Sequence, residues 1–196
     1  SHQNNRLYCA NNDDDNVSVI DCAANSIIAT ISVGDGPFRL CYNPQSDKVY
    51  CANHNVASVS VIDGATNSVI ATVGVGSNPV GLCYNPQNDK IYCTNHGSNN
   101  VTVLNGTTDS VMATLAVGGM PGALCYDSRH DRVYCANWDD TRVSVIDGAA
   151  DSVLATLTTG SMPRALCYNQ SDDKVYSANS NSANVTVIDC ATVSVT

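Results

Sequence analysis

Three observations predict an all-β chain, a β-propeller with one four-stranded antiparallel blade per repeat. They are an unbroken 42-residue period, four short β-like runs within each period, and a shortage of helix formers. Tyr8, Tyr50, Tyr92, Tyr134 and Tyr176 stand 42 residues apart, as do Pro37, Pro79, Pro121 and Pro163, with no insertion between them. A period of that length filled by short strands marks a propeller. All 18 acidic residues are Asp and Lys is rare, so the best exposed helix formers are nearly missing while turn formers dominate.

Within one repeat, four apolar runs alternate with turn signals. Run A is Phe38 to Asn43, run B Lys48 to Asn53, run C Ser58 to Asp63 and run D Ser68 to Val75. Asn43-Pro44-Gln45-Ser46-Asp47 joins A to B and Asp63-Gly64-Ala65-Thr66-Asn67 joins C to D, and both are rich in residues that accept turn dihedrals. Each repeat is thus an up-and-down meander, its strands expected in the order A, B, C, D outward from the axis. Residues 1–196 form a single domain: a partial blade at 1–36, blades at 37–78, 79–120 and 121–162, and an incomplete blade at 163–196 that stops after run C. That is about 4.7 blades. Runs B and C occur at both ends, so the ends do not complement each other. The chain reads as a segment of a larger ring, or one completed by another copy. The expected core comprises Leu40, Val49, Val61, Ile62, Ile70 and their equivalents one period away.

The run Lys48-Val49-Tyr50-Cys51-Ala52-Asn53, followed by Val59-Ser60-Val61-Ile62-Asp63-Gly64 and by residues 68–76, resembles the YVTN-type β-propeller repeat of prokaryotic surface-layer and related exported proteins. The resemblance covers essentially the whole chain. It implies the propeller fold and an extracellular or cell-surface location, or the periplasm, and it specifies a scaffold rather than a function. One departure is that the second motif position is Cys at Cys9, Cys51, Cys93 and Cys135, and Ser at Ser177.

The formal net charge of −9, with cations scattered, provides no footprint for a phosphate backbone, which argues against nucleic acid as a partner. No apolar run approaches the roughly 20 residues that cross a bilayer, and the N-terminus lacks a signal-peptide pattern. A soluble segment without membrane insertion is expected, with any export signal outside it.

Comparison of the repeats with one another separates two kinds of loop. The A–B turn keeps its character, as at 43–48, 85–90 and 127–132, whereas the B–C loop changes at 12–16, 54–58, 96–100, 138–142 and 180–184. Because strands alternate in direction, the B–C and D–A loops share one face of the disc, and divergent loops on one face of a repeat fold are a usual place for binding. The candidate binding face comprises Asp13, Asp14, His54, Asn55, His96, Trp138, Asp139 and Arg142 of the B–C loops, with Phe38 and Arg39 beside the D–A loop. His54 and His96 share a register and are candidates for metal ligation, although a third ligand is missing. The Asp13-Asp14-Asp15 run lacks the spacing of a Ca²⁺ loop and reads as a solvated turn. Trp138 and Phe38 suit contact anchors, and packing against a neighbouring blade explains them as well.

No nucleophile elbow, phosphate loop or metalloprotease motif is found, and every repeat has the same length, so neither a catalytic residue nor a cofactor is expected. The leading expectation is a non-enzymatic binding or scaffold module that presents the variable face to a protein, a glycan or another copy of the chain. The alternative is part of an exported propeller enzyme, a lyase or a quinone- or metal-dependent oxidoreductase, whose catalytic residues lie outside this segment.

Eight of the ten cysteines occupy two registers, Cys41, Cys83, Cys125 and Cys167 on A and Cys9, Cys51, Cys93 and Cys135 on B. Three readings stay open. The residues are small buried hydrophobes with free thiols; or they form bridges within blades, Cys41–Cys51, Cys83–Cys93 and Cys125–Cys135; or they form bridges between blades, Cys9–Cys41, Cys51–Cys83, Cys93–Cys125 and Cys135–Cys167. Cys22 and Cys190 stand where other repeats have Gly64, Gly106 and Gly148, and are expected in exposed turns, unpaired within the chain or linked to another copy.

Overall fold

The computed structural model describes residues 5–196. It is all-β, with five antiparallel sheets stacked in chain order. The first sheet has three strands, β1 (Arg6–Asn11), β2 (Asn16–Asp21) and β3 (Ser26–Ser32). The second is β4 (Pro37–Asn43), β5 (Lys48–Asn53), β6 (Ser58–Asp63) and β7 (Ser68–Gly74). The third is β8 (Pro79–Asn85), β9 (Lys90–Asn95), β10 (Asn100–Asn105) and β11 (Val111–Ala116). The fourth is β12 (Pro121–Asp127), β13 (Arg132–Asn137), β14 (Arg142–Asp147) and β15 (Ser152–Thr158). The fifth is β16 (Pro163–Asn169), β17 (Lys174–Asn179), β18 (Asn184–Asp189) and the short β19 (Ser194–Val195). The fifth blade therefore does not stop after its third strand, as the sequence suggested: Ile188 and Asp189 pair with Val195 and Ser194. The A strands of successive blades touch one another, which places them innermost.

Four apolar cores lie between the five sheets. The period-2 pleat sends alternate residues of one strand to opposite neighbours. In the second blade, Val49, Cys51 and Ile62 meet Val17, Val19 and Ile31 of the first, while Tyr50, Val59 and Val61 meet Ile91, Cys93 and Leu104 of the third. Both faces of B and C are thus buried. Strand D behaves differently. Val61 pairs with Ala71 and Ile62 with Val69, so Ile70 is the extra residue of a β-bulge. It points outward and is 50% exposed, contrary to the core position expected for it. Leu40 is only half-buried, whereas Val49, Val61 and Ile62 are fully buried as expected.

The repeated motif owes its polar residues to these contacts. Buried Asn53 donates through Nδ2 to the Ser58 and Ser60 hydroxyls, each at 3.0 Å, pinning B to C. The Tyr50 hydroxyl donates to Asp109 Oδ1 at 2.6 Å in the next blade, and Lys48 Nζ lies 2.8 Å from Asp109 Oδ2. Tyr92, Lys90 and Asp151 repeat this arrangement one blade on.

All ten cysteines are free. The pairing register explains why the within-blade bridges do not form: Leu40, not Cys41, stands opposite Cys51, and Cys41 stands opposite Tyr50. Cys41 therefore faces the third blade while Cys51 faces the first. The between-blade scheme fails on the same ground, since Cys51 turns towards the first blade and Cys83 towards the fourth. Burial pushes the thiols of Cys41, Cys51, Cys83 and Cys125 up to about 12. Cys22 is exposed, as expected, but Cys190 is buried. Cys190 packs against Tyr134, Val143 and Val145 of the preceding blade, with Asp127 beside it, while among the described residues no sheet precedes the one that carries Cys22.

Candidate functional site

The B–C and D–A loops share one face. The backbone amides of His54, His96, Trp138 and Ser180 donate to the carbonyls of Gly36, Asn78, Met120 and Met162 at 2.8–3.0 Å. Each variable loop is thereby held against the entry to the innermost strand of its blade. A bulge follows the proline at the start of that strand: Pro37 pairs with Asn53 but Arg39 with Ala52, which leaves Phe38 as the extra residue. The equivalent residues are Val80, Gly122 and Arg164, a register as divergent as the loops.

These residues line a cavity of about 320 Å³ on the axis. Its wall includes Phe38, Arg39, Val80, Leu82, Trp138 and Arg164, and no carboxylate. Trp138 owes its place to Gly122, because a Cβ on that glycine would run into the indole ring. Gly122 is itself held by the Thr94 hydroxyl, which donates to its carbonyl at 2.9 Å. The Arg164 guanidinium sits 5.1 Å from the centre of the Trp138 ring, a cation–π geometry, and His96 meets the same ring edge-on at 5.3 Å. Phe38 and His54 make a tilted ring contact at 5.8 Å. Burial, and then the nearby His54 and Arg164, hold the His96 imidazole below its ordinary range. Two buried polar atoms here, Trp138 Nε1 and His54 Nδ1, have no hydrogen-bond partner.

Of the predicted face, the structure brings together Phe38, Arg39, His54, His96 and Trp138. Asp139 lines a second groove on the other side of Trp138, with Asp140 and Met162. Asp13 and Asp14 lie on an exposed 3₁₀ turn, Asn12–Asp14. Asn55 donates to Asp35 Oδ1 at 2.8 Å, and Arg142 lies 3.7 Å from Asp140. None of these four lines the axial cavity. Among the described residues, no third His, Cys or carboxylate joins His54 and His96 in a group spaced for metal ligation. Sequence reasoning missed Arg164 and Val80 because the repeats were compared loop by loop; the same comparison along the first residues of strand A finds them.

The cavity offers cation, aromatic ring and apolar wall, which is chemistry for holding a ligand. A family model for YNCE-like β-propellers matches residues 3–194. The chain belongs to that family. No significant match is found among curated proteins. Among solved structures, this YNCE-like propeller is similar to the hydrazine synthase of Kuenenia stuttgartiensis, with a TM-score of 0.73 and 22% identity over 81% of this chain and 47% of that one. It is also similar to the dihydro-heme d1 dehydrogenase NirN in complex with DHE, with a TM-score of 0.83 and 15% identity over 98% of this chain and 43% of that one. At such identities the likeness is one of fold. The chain spans less than half the length of either structure.

Proposed function

We propose that this propeller is a binding module, not an enzyme, which holds a carboxylate-bearing group of a protein or glycan partner in the axial cavity. The observation that carries the reading is the pairing of Arg39 and Arg164 with Trp138 and Phe38 in a wall free of carboxylates, in a chain whose net charge is −9. Arginine offers a planar fork to a carboxylate, and aromatic side chains anchor interfaces at low entropic cost. The YVTN-like repeat supports an exported or cell-surface setting for such a module. Enzymes among the similar structures keep open the alternative in which catalytic groups lie in a part of the protein beyond this chain.

Trp138 is the single tryptophan and lines the cavity, so its fluorescence reports occupancy. The test titrates acetylated acidic peptides and oligouronates, with their amide and neutral counterparts as controls. Saturable change is expected with at least one carboxylate probe, and affinity is expected to fall more than about tenfold in an Arg39→Ala, Arg164→Ala variant. No response to any probe, or equal response to the neutral counterparts, refutes the reading.

A further inference from the structure

On the face opposite the cavity, the blades are joined by a recurring contact. Asn43 Nδ2 donates to Asp89 Oδ1 and Asn85 Nδ2 to Asp131 Oδ1, each at 2.7 Å, while their Oδ1 atoms accept the turn amides two residues on. A glycine completes each site. A Cβ on Gly106 or Gly148 would point at the carboxylate of Asp89 or Asp131. Between the fourth and fifth blades this pattern breaks at several registers together. Asp127 replaces the asparagine, His130 stands where other repeats have Ser46 and Asn88, Cys190 replaces the glycine, and Val193 replaces Asp109 and Asp151.

The consequence is a cluster of donors with no counterpart at the other interfaces. Asp127 is fully buried and keeps its turn contacts, but it faces Asp173 without the amide donor that bridges the other pairs. His130 Nδ1 lies 3.0 Å from Asp127 Oδ2 and 3.6 Å from Asp173 Oδ1. The glycine geometry aims the Cys190 side chain at the same point, and one oxygen each of Asp127 and Asp173 lies with its Sγ inside a 4.8 Å sphere of mutual distance. A second observation points the same way. Tyr134, fully buried, turns its hydroxyl towards Cys190 and Arg132 but makes no hydrogen bond of good geometry with either, because Val193 stands where Asp109 and Asp151 serve Tyr50 and Tyr92.

We propose that Asp127, Asp173 and Cys190, with His130 beside the two carboxylates as a fourth donor, form a zinc-type divalent metal site that clamps the fourth blade to the fifth. Asp173 has the Tyr168 hydroxyl at 3.1 Å and the half-exposed Arg129 at 3.7 Å, but among the described residues buried Asp127 facing it has no cation other than His130. This pair favours a bound cation, and a thiolate and an imidazole beside it select a borderline metal over Mg²⁺ or Ca²⁺. Tetrahedral ligands at bond lengths of about 2.1 Å stand about 3.4 Å apart, close to the 3.0 and 3.6 Å between His130 and the two carboxylates, while the atoms of Asp127, Asp173 and Cys190, within 4.8 Å of one another, close onto a bound ion by small side-chain rotations.

The probes are Zn²⁺ alone and Co²⁺ alone, added to the whole chain. Co²⁺ is expected to bind at one equivalent with a thiolate charge-transfer band, and Zn²⁺ to displace it and raise the unfolding temperature. Asp127→Asn and Cys190→Gly each restore the residue the chain itself uses at that register, so both fold, as circular dichroism checks. Each is expected to weaken binding at least about tenfold, and Cys190→Gly to abolish the band. A His54→Ala, His96→Ala variant is expected to bind as the wild type does. The proposal is overturned if the wild type shows no thiolate band, if Asp127→Asn and Cys190→Gly bind metal as tightly as it does, or if removing His54 and His96 abolishes binding.

Discussion

Removing Asp151 exposes what the inter-blade ion pairs contribute. Its Oδ1 lies 2.8 Å from Lys90 Nζ, and the two side chains are only 16% and 7% exposed. Asp151→Ala leaves the ammonium buried with one remaining acceptor, the Gly148 carbonyl at 2.7 Å, and takes an acceptor from the Tyr92 hydroxyl. Breaking one side of a buried pair costs about 3–5 kcal/mol, and the small opening at Asp151 admits water, which argues for the lower end, about 3 kcal/mol. For a chain of this size that is roughly a 6–12 °C fall in melting temperature. Urea unfolding measures it, with Arg142→Ala as the contrast: Arg142 is 56% exposed at 3.7 Å from Asp140, and its loss is expected to cost under about 0.5 kcal/mol. The double variant Lys90→Met, Asp151→Ala removes the stranded charge and is expected to recover most of the electrostatic loss, leaving the roughly 1 kcal/mol that Ala costs at the left-handed φ of 49°. The reasoning is refuted if Asp151→Ala costs no more than Arg142→Ala, or if the double variant is less stable than Asp151→Ala.

Thiol labelling of the native chain at neutral pH is expected to modify the exposed Cys9, Cys22 and Cys167 rapidly, the half-buried Cys41, Cys83 and Cys125 more slowly, and the buried Cys51, Cys93, Cys135 and Cys190 only on unfolding; fast labelling of Cys51 or Cys93 contradicts the inter-blade cores. The pH dependence follows from the C–D turns, where the Thr66 backbone amide, and then its hydroxyl, hold the Asp63 carboxyl below its ordinary 3.8. Backbone amides do the same for Asp21 and Asp189. A depressed folded-state value contributes stability that is present above about pH 4 and lost as pH falls through it. Asn105 already fills this register and accepts the same turn amides, so an Asp21→Asn, Asp63→Asn, Asp189→Asn variant is expected to lose less stability between about pH 4 and 2 in urea titrations. An unchanged slope removes these turns from the account.

The blades were legible because each is specified several times over. Periodicity in Tyr50 and its equivalents, turn chemistry at Asn43 and Asp63, and the apolar runs all demand the same meander, and the observed B and C strands coincide with the expected ones. Ile70 was misread because a bulge inverts the alternation of strand D midway, and nothing in a run of Val, Ile and Ala announces which residue is extra. The cysteines stayed open among three readings for a related reason. Sequence spacing placed Cys41 and Cys51 on neighbouring strands, but a one-residue offset in register decides whether neighbours share a face. At the candidate site, Trp138 and His96 were visible as loop residues that differ between repeats. Arg164 was not, because it sits inside a strand, where variation passes for surface noise.

A repeat chain carries its own reference, since each register states what the blade interface requires. A departure from that requirement is informative when it costs something and neighbouring departures agree with it. Gly122 gives up a side chain inside an innermost strand, where glycine weakens pairing, and the space goes to Trp138. Val193 adopts a left-handed backbone, φ 53°, a region that β-branched residues disfavour and that Asp109 and Asp151 occupy at the same register. Asp127 discards an amide that neutral packing would keep. Each change is unfavourable to the blade that bears it, and each lies beside another that uses the same space or charge. One group opens the axial cavity; the other gathers ligand atoms between the fourth and fifth blades on the opposite face. Packing alone explains neither grouping, because the remaining interfaces satisfy the same packing with the ordinary residues. Divergence between repeats is therefore best read in space, interface by interface, where two substitutions far apart in the chain, such as Asp127 and Cys190, are neighbours.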